Sequence, residues 1–250
     1  MTTADASPMA ADALPMVFVH GTRFSAGQWS SQLAALRGEF PVAAVDLPGH
    51  GARAEQPWSL SAATGIIASA VDSLGRGPAL VVGHSLGGYA ALEFARRHPE
   101  RLRGLVLTGA SASTRGAWAT PYRWVAGLVP RIPADRLTRW NDWLLLRHYP
   151  PEVVEATIRS GYAFHTLPAA WGEVLGRFDA GAMRHVAAPA LILNGEKDSV
   201  FRSGEADFAR AHRDARVELI PRAGHLANFD APDAFTDAVR RFARQLTATG

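Results

Sequence analysis

A chain of 250 residues with 48% hydrophobic content suits one large α/β domain with room for an inserted subdomain, and is too short for two full domains. Its formal charge of +3 comes from 26 Lys plus Arg against 23 Asp plus Glu, and the scattered arginines form no basic block, which argues against a nucleic-acid partner. Cysteine is absent, so disulfides and thiolate metal sites are excluded, and the nine dispersed histidines contain no His-x-x-x-His pair that would suggest a metal centre.

Residues 1–13 carry neither a basic segment nor an apolar core, and are expected to be a disordered lead-in rather than a signal peptide. Strand Met16–Val19 follows, then a helix over 26–36 with Trp29, Leu33 and Leu36 on one face. A strand over 41–45 runs into Asp46-Leu47-Pro48-Gly49-His50-Gly51. An amphipathic helix over 60–74 starts at a cap of Ser59 or Ser61. A strand over 79–82, a helix over 89–97 stopped before Pro99, and a strand over 102–107 complete the first half. Short apolar strands separated by helices predict a mostly parallel sheet covered on both faces, with functional groups gathered at the C-terminal strand ends.

The rhythm then changes. Over 111–188 no strand pattern appears, and proline-punctuated segments near 117–128, 134–147, 152–165 and 169–179 read as helices. This predicts a helical cap inserted in a core formed by 14–110 and 189–250. Five of the seven tryptophans fall there, at Trp118, Trp124, Trp140, Trp143 and Trp171. Each either anchors the cap or lines a closed pocket for an apolar or cyclic substrate moiety. Apolar runs over 189–193 and 217–220 give two last strands, and Phe235, Val239, Phe242 and Leu246 mark a terminal helix. No apolar run reaches the roughly 18 residues needed to span a membrane, so a cytoplasmic protein without a membrane partner is expected.

The chemistry concentrates in Gly83-His84-Ser85-Leu86-Gly87-Gly88. A Gly-x-Ser-x-Gly run between a strand and a helix is a nucleophile elbow: Ser85 lies on a strained turn, and glycines beside it admit close packing and substrate. A serine nucleophile needs a base and an orienting acid. Asp198, at the tip of a polar turn after the 189–193 strand, and His225, at the tip of the next loop, supply them in the chain order Ser85, Asp198, His225. Glu196 stands as the alternative acid. Oxyanion donors are expected from the backbone N–H of Leu86, directly after the nucleophile, and of Thr22, in the turn after the first strand. His20 reads as a structural loop residue. Arg23, just beyond that turn, either meets a substrate carboxylate or phosphate or caps a surface loop.

Together these motifs resemble the α/β-hydrolase superfamily in its small capped form, over about residues 14–246. His20-Gly21 is similar to its oxyanion motif, Asp46 to Gly51 to its Asp-x-Pro-Gly-x-Gly loop, residues 83–88 to its nucleophile motif, and Gly195 to Asp198 and Gly224-His225 to its acid and base regions. The resemblance implies structural roles for His50, which orders a loop, and His84, which backs the elbow. It implies a serine hydrolase of small esters or lactones that needs neither metal nor organic cofactor. A serine at position 85 sets the chain apart from the aspartate-nucleophile dehalogenases and epoxide hydrolases. Arg23, where His-Gly-x-Gly would place glycine, sets it apart from the carbon–carbon bond hydrolases. Thioester cleavage, carbon–carbon bond hydrolysis, lyase or cyclase chemistry and ligand binding without turnover are the alternatives. Oligomeric state is not expressed in these motifs.

Overall fold

The computed structural model describes residues 13–116 and 120–248. The expected lead-in therefore lies almost wholly outside the described residues, as does Trp118.

Six strands form one parallel sheet: β1 (Met16–Val19), β2 (Val42–Val45), β3 (Ala79–His84), β4 (Leu102–Thr108), β5 (Ala190–Gly195) and β6 (Ala215–Ile220), in the order β2-β1-β3-β4-β5-β6. The central strands are buried on both faces, and their side chains alternate between two cores. Val17, Val19, Val81, Leu105 and Leu107 enter one, and Met16, Phe18, Leu80, Val82 and Val106 enter the other.

The first core receives α2 (Leu60–Ser73) through Leu60, Ala63, Ile67 and Val71, and α3 (Leu86–Arg97) along most of its length. Ser59 caps α2, its side chain accepting the Ala62 N–H at 3.0 Å. The second core receives α1 (Ser30–Leu36) and, later in the chain, the long terminal helix α10 (Pro232–Ala248). The face predicted for that helix, Phe235, Val239, Phe242 and Leu246, is the buried one. Each such large apolar side chain contributes roughly 1.5–3 kcal/mol on burial.

Between β4 and β5 lies the inserted helical cap: α4 (Thr120–Leu128), α5 (Ala134–His148), α6 (Pro151–Ser160) and α7 (Leu167–Val174). Its α7 face joins the first core through Leu167, Ala170, Trp171 and Val174. A charged cluster also ties α3 to the segment after α7: buried Glu93 accepts from Arg96, Arg97 and Arg177 at 2.6–3.1 Å. Two short helices, α8 (Glu205–Arg210) between β5 and β6 and α9 (Ala227–Asp230) before α10, were not predicted.

The strand order reverses between β1 and β3. Beyond the carboxyl ends of two strands at such a reversal, their loops diverge and leave a crevice. The loop after β1 carries Thr22 and Arg23, and the turn after β3 carries Ser85.

Candidate active site

Ser85 has φ 51° and ψ −117°, a left-handed backbone unusual for a side-chain-bearing residue. Its N–H donates to the Thr108 carbonyl at 2.9 Å, which anchors the turn to β4. The flanking glycines are required sterically. A Cβ on Gly87 would lie 2.4 Å from the Val19 carbonyl oxygen, and one on Gly83 would lie 2.6 Å from that of Gly87. Leu86 begins α3, so its N–H has no acceptor within the helix and remains available beside the serine.

Asp198 is buried and accepts from His225 Nδ1–H at 2.8 Å through Oδ2. Its Oδ1 accepts the Phe201 N–H at 3.2 Å. The His225 ring stacks on Phe201 with centroids 4.3 Å apart. With Nδ1 as donor, Nε2 is left as the basic nitrogen. Glu196 is exposed and accepts the Arg222 N–H at 2.9 Å, so the acid that meets the histidine is Asp198.

Ser85 and His225 share a cavity of about 400 Å³ with Thr22 and Arg23 from the β1 loop, Tyr122 and Val125 from α4, Leu167 and Trp171 from α7, and Phe201. The cap helices thus roof the carboxyl end of the sheet.

The expected aromatic lining is corrected in part. Trp171 faces the cavity, but Trp124, Trp140 and Trp143 are 64%, 58% and 56% exposed. Helical spacing explains the error on α5. Asn141 and Leu145, one turn apart, form its buried face, which turns Trp140 and Trp143 outward, where Arg147 lies 5.8 Å from the Trp143 ring centre. The pocket's aromatic surface also includes Tyr122, from the aromatic-rich cap, and Phe24 and Phe201 from the core, which were not selected from the sequence as binding residues.

A buried polar network fixes the loops around the serine. The Gly21 N–H donates to Gln28 Oε1 at 2.8 Å, and Gln28 Nε2 lies 3.0 Å from His84 Nδ1. Since the amide nitrogen can only donate, His84 Nδ1 accepts, and His84 Nε2–H donates to the His225 carbonyl at 3.0 Å. Asn228 closes the circuit, its Nδ2 donating to the Gln28 carbonyl at 3.1 Å. The β1 turn, the elbow and the backbone of the base are thereby linked through Gln28. The Gly21 N–H is committed to Gln28, whereas the Thr22 and Arg23 N–H groups of that turn have no acceptor among the described residues. The Thr22 hydroxyl is buried without a partner and does not bond to its own turn.

His20 and His50 stand apart from the triad. His20 donates from Nδ1 to the Gly21 carbonyl at 2.9 Å and accepts the Leu47 N–H at Nε2, 3.0 Å away. Burial, with the nearby His50 charge adding to it, pushes His20 down to about 3, and burial holds His50 at about 4. His84 is likewise well below its ordinary value through burial. All three are neutral in the native state, while in the unfolded chain each protonates near 6.5. The unfolded state therefore binds more protons below that pH, and stability is lost as pH falls from 6.5 toward 3–4. His20 alone is expected to cost up to about 2 kcal/mol between pH 6.5 and 5. Urea unfolding at pH 7.5 and 5 checks this, and a midpoint unchanged between the two would contradict the neutral, buried assignment.

The family model described as the alpha/beta hydrolase family matches residues 16–238. Among curated relatives, a pimeloyl-[acyl-carrier protein] methyl ester esterase of Neisseria meningitidis is 29% identical, with 92% of this chain and 94% of that protein covered. The protein of the same name from Nitrosospira multiformis is 26% identical over the same shares. Among solved structures, a thermophilic esterase from Thermogutta terrifontis, with malate bound, is 26% identical with a TM-score of 0.75, covering 94% of this chain and 90% of that one. Among the described residues no helix is long and apolar enough to cross a membrane.

Proposed function

The chain belongs to the α/β-hydrolase family, and we propose that within it this protein is a serine hydrolase that cleaves a carboxylic ester or lactone of a small molecule through an acyl-enzyme. The observation that carries the reading is the Asp198–His225 pair, at 2.8 Å, delivered to the cavity that also holds Ser85. The ester esterase names of the relatives point to the same bond class. The cavity's apolar lining favours a compact substrate body that is largely apolar or cyclic. The cysteine-free sequence suits a reducing cytoplasm as the site of action.

Ser85 Oγ attacks the carbonyl carbon as its proton passes to His225 Nε2. Asp198 stabilises the resulting imidazolium and keeps the ring in the tautomer that presents Nε2. The Thr22 and Leu86 N–H groups hold the oxyanion. Collapse breaks the bond to the leaving oxygen, which takes its proton from His225. Water then attacks the acyl-enzyme, gives a proton to His225, and the acid departs as Ser85 recovers its own. In a lactone the leaving alcohol stays tethered, so the product is one hydroxy acid.

An organophosphonate is expected to add once to the protein, at Ser85, and intact-mass measurement should show the adduct disappear in Ser85→Ala. Labelling that survives the substitution would remove Ser85 as the nucleophile. Product mass supplies the second check, because hydrolysis adds one water and lyase or cyclase chemistry does not.

A further inference from the structure

Arg23 lies at the edge of the reaction cavity and, among the described residues, has no ion-pair partner. Its backbone is left-handed, with φ 65°, one residue past the proposed oxyanion donor Thr22. Its Nε–H donates to Asn141 Oδ1 at 2.9 Å, and its guanidinium carbon lies 4.5 Å from the Phe24 ring centre. Its carbonyl accepts the Ala163 N–H at 2.9 Å. Tyr149 and Tyr162 also face it, both of them neutral phenols whose ionisation burial pushes upward. None of these partners carries a negative charge, and among the described residues no carboxylate forms an ion pair with Arg23. The acids next to the site are committed elsewhere: Asp198 to His225 and the Phe201 N–H, Asp142 to the Tyr162 hydroxyl, and Asp230 to the Tyr149 hydroxyl and the Gly224 N–H. Elsewhere buried charge is compensated, as where Glu93 meets Arg96, Arg97 and Arg177.

Arg23 is half-buried, and a guanidinium partly withdrawn from water gains from an anion that meets it. Among the described residues only its Nε–H is committed, to Asn141, which leaves the terminal nitrogens with the fork geometry that suits a carboxylate. We propose that Arg23 binds a carboxylate carried by the substrate, so that the substrates are esters or lactones of a molecule bearing an acid group close to the scissile carbonyl. This rests on the ester-hydrolase reading for the identity of the bond, and adds the charge. The remainder of the lining, including Val125, Leu167 and Trp171, receives the apolar body, so the substrate is amphipathic. A phosphate offers similar chemistry. In a carrier-bound acyl group, however, the whole pantetheine chain separates the phosphate from the acyl carbon, whereas Arg23 adjoins the oxyanion turn.

Matched aryl esters test the assignment: the p-nitrophenyl ester of butyric acid, the p-nitrophenyl half-ester of glutaric acid, and an equivalent carrying a terminal phosphonate. The wild type should prefer the glutaric half-ester. In Arg23→Met the ratio of kcat/KM for the half-ester over the neutral ester should fall about ten- to hundredfold. Asn141→Asp, which gives the guanidinium an internal carboxylate, should shift the ratio the same way while keeping the arginine. Equal loss on both esters in both variants would overturn the proposal and leave Arg23 as a tie between the β1 loop and the cap. Preference for the phosphonate over the carboxylate would overturn it in favour of a phosphate site. Glutarate binding measured by calorimetry reads the site without turnover and should weaken at least about tenfold in Arg23→Met. Arginine-dependent glutarate binding with no ester hydrolysis would sink the esterase reading and uphold the carboxylate site. Ester hydrolysis with neither glutarate binding nor a change of ratio would do the reverse.

Discussion

Asp198→Asn is expected to lower kcat by roughly two to four decades while leaving the protein folded. The hydrogen bonds around the carboxylate explain why the amide cannot substitute for it. Phe201 N–H requires an acceptor at Oδ1, and His225 Nδ1–H requires one at Oδ2. An asparagine has one oxygen. If it faces Phe201, its NH₂ faces His225 Nδ1 and forces that nitrogen to accept. The ring proton then moves to Nε2, which can no longer take the serine proton. If the amide flips, a buried N–H meets another N–H at Phe201. Glu196→Gln should stay within about threefold of wild type, since its side chain holds only the Arg222 N–H at the surface. Steady-state kinetics on an aryl ester, with circular dichroism to confirm folding, gives the ranking. A larger loss in Glu196→Gln would transfer the orienting role to Glu196.

How much of this was legible beforehand depended on whether the signal was local. The parallel strands announced themselves as short runs of Val, Leu and Ala, and the elbow glycines marked where β3 turns. The helix after the elbow was expected from residue 89 but begins at Leu86, because Gly87 and Gly88 are poor helix formers kept for close packing. The short α8 offered too few turns for a periodicity to register. Three of the cap tryptophans, Trp124, Trp140 and Trp143, were misassigned for a different reason. Amphipathic spacing defines which residues share a face, but not which face meets the core, and on α5 the small polar Asn141 points inward while two tryptophans point out. The acid was ambiguous for a similar reason: Glu196 and Asp198 lie two residues apart on one turn, and only the path of the chain beyond Gly195 decides which reaches His225. Least legible was the network through Gln28. Its partners are His84, 56 residues away, and Asn228, 200 residues away, and no motif links them.

That network carries the second large effect. Gln28→Met keeps the side-chain volume and removes the amide, leaving the Gly21 N–H and His84 Nδ1 buried without partners. At about 1–3 kcal/mol for each of the two orphaned groups, stability should fall by about 2–6 kcal/mol. For a chain of this size that corresponds to a drop in Tm on the order of 4–24 °C. The consequence for catalysis is separate. With its Gly21 anchor gone, the β1 turn no longer holds the Thr22 N–H at one position. Loss of a single oxyanion donor typically costs 10²–10³ in kcat, so a misplaced one should cost about ten- to a hundredfold. His84 should loosen as well, and with it the His225 carbonyl that it holds at 3.0 Å. Both kcat and Tm should therefore fall in Gln28→Met, with KM for a neutral ester changing little, since Gln28 lies behind the turn and does not line the cavity. A lower Tm with kcat unchanged at a temperature where the variant is fully folded would confine Gln28 to stability and detach the network from the oxyanion turn. A Gln28→Ala variant adds a cavity to the same lost bonds. It should be less stable than Gln28→Met but no worse in kcat if the missing hydrogen bonds, rather than packing, displace the turn.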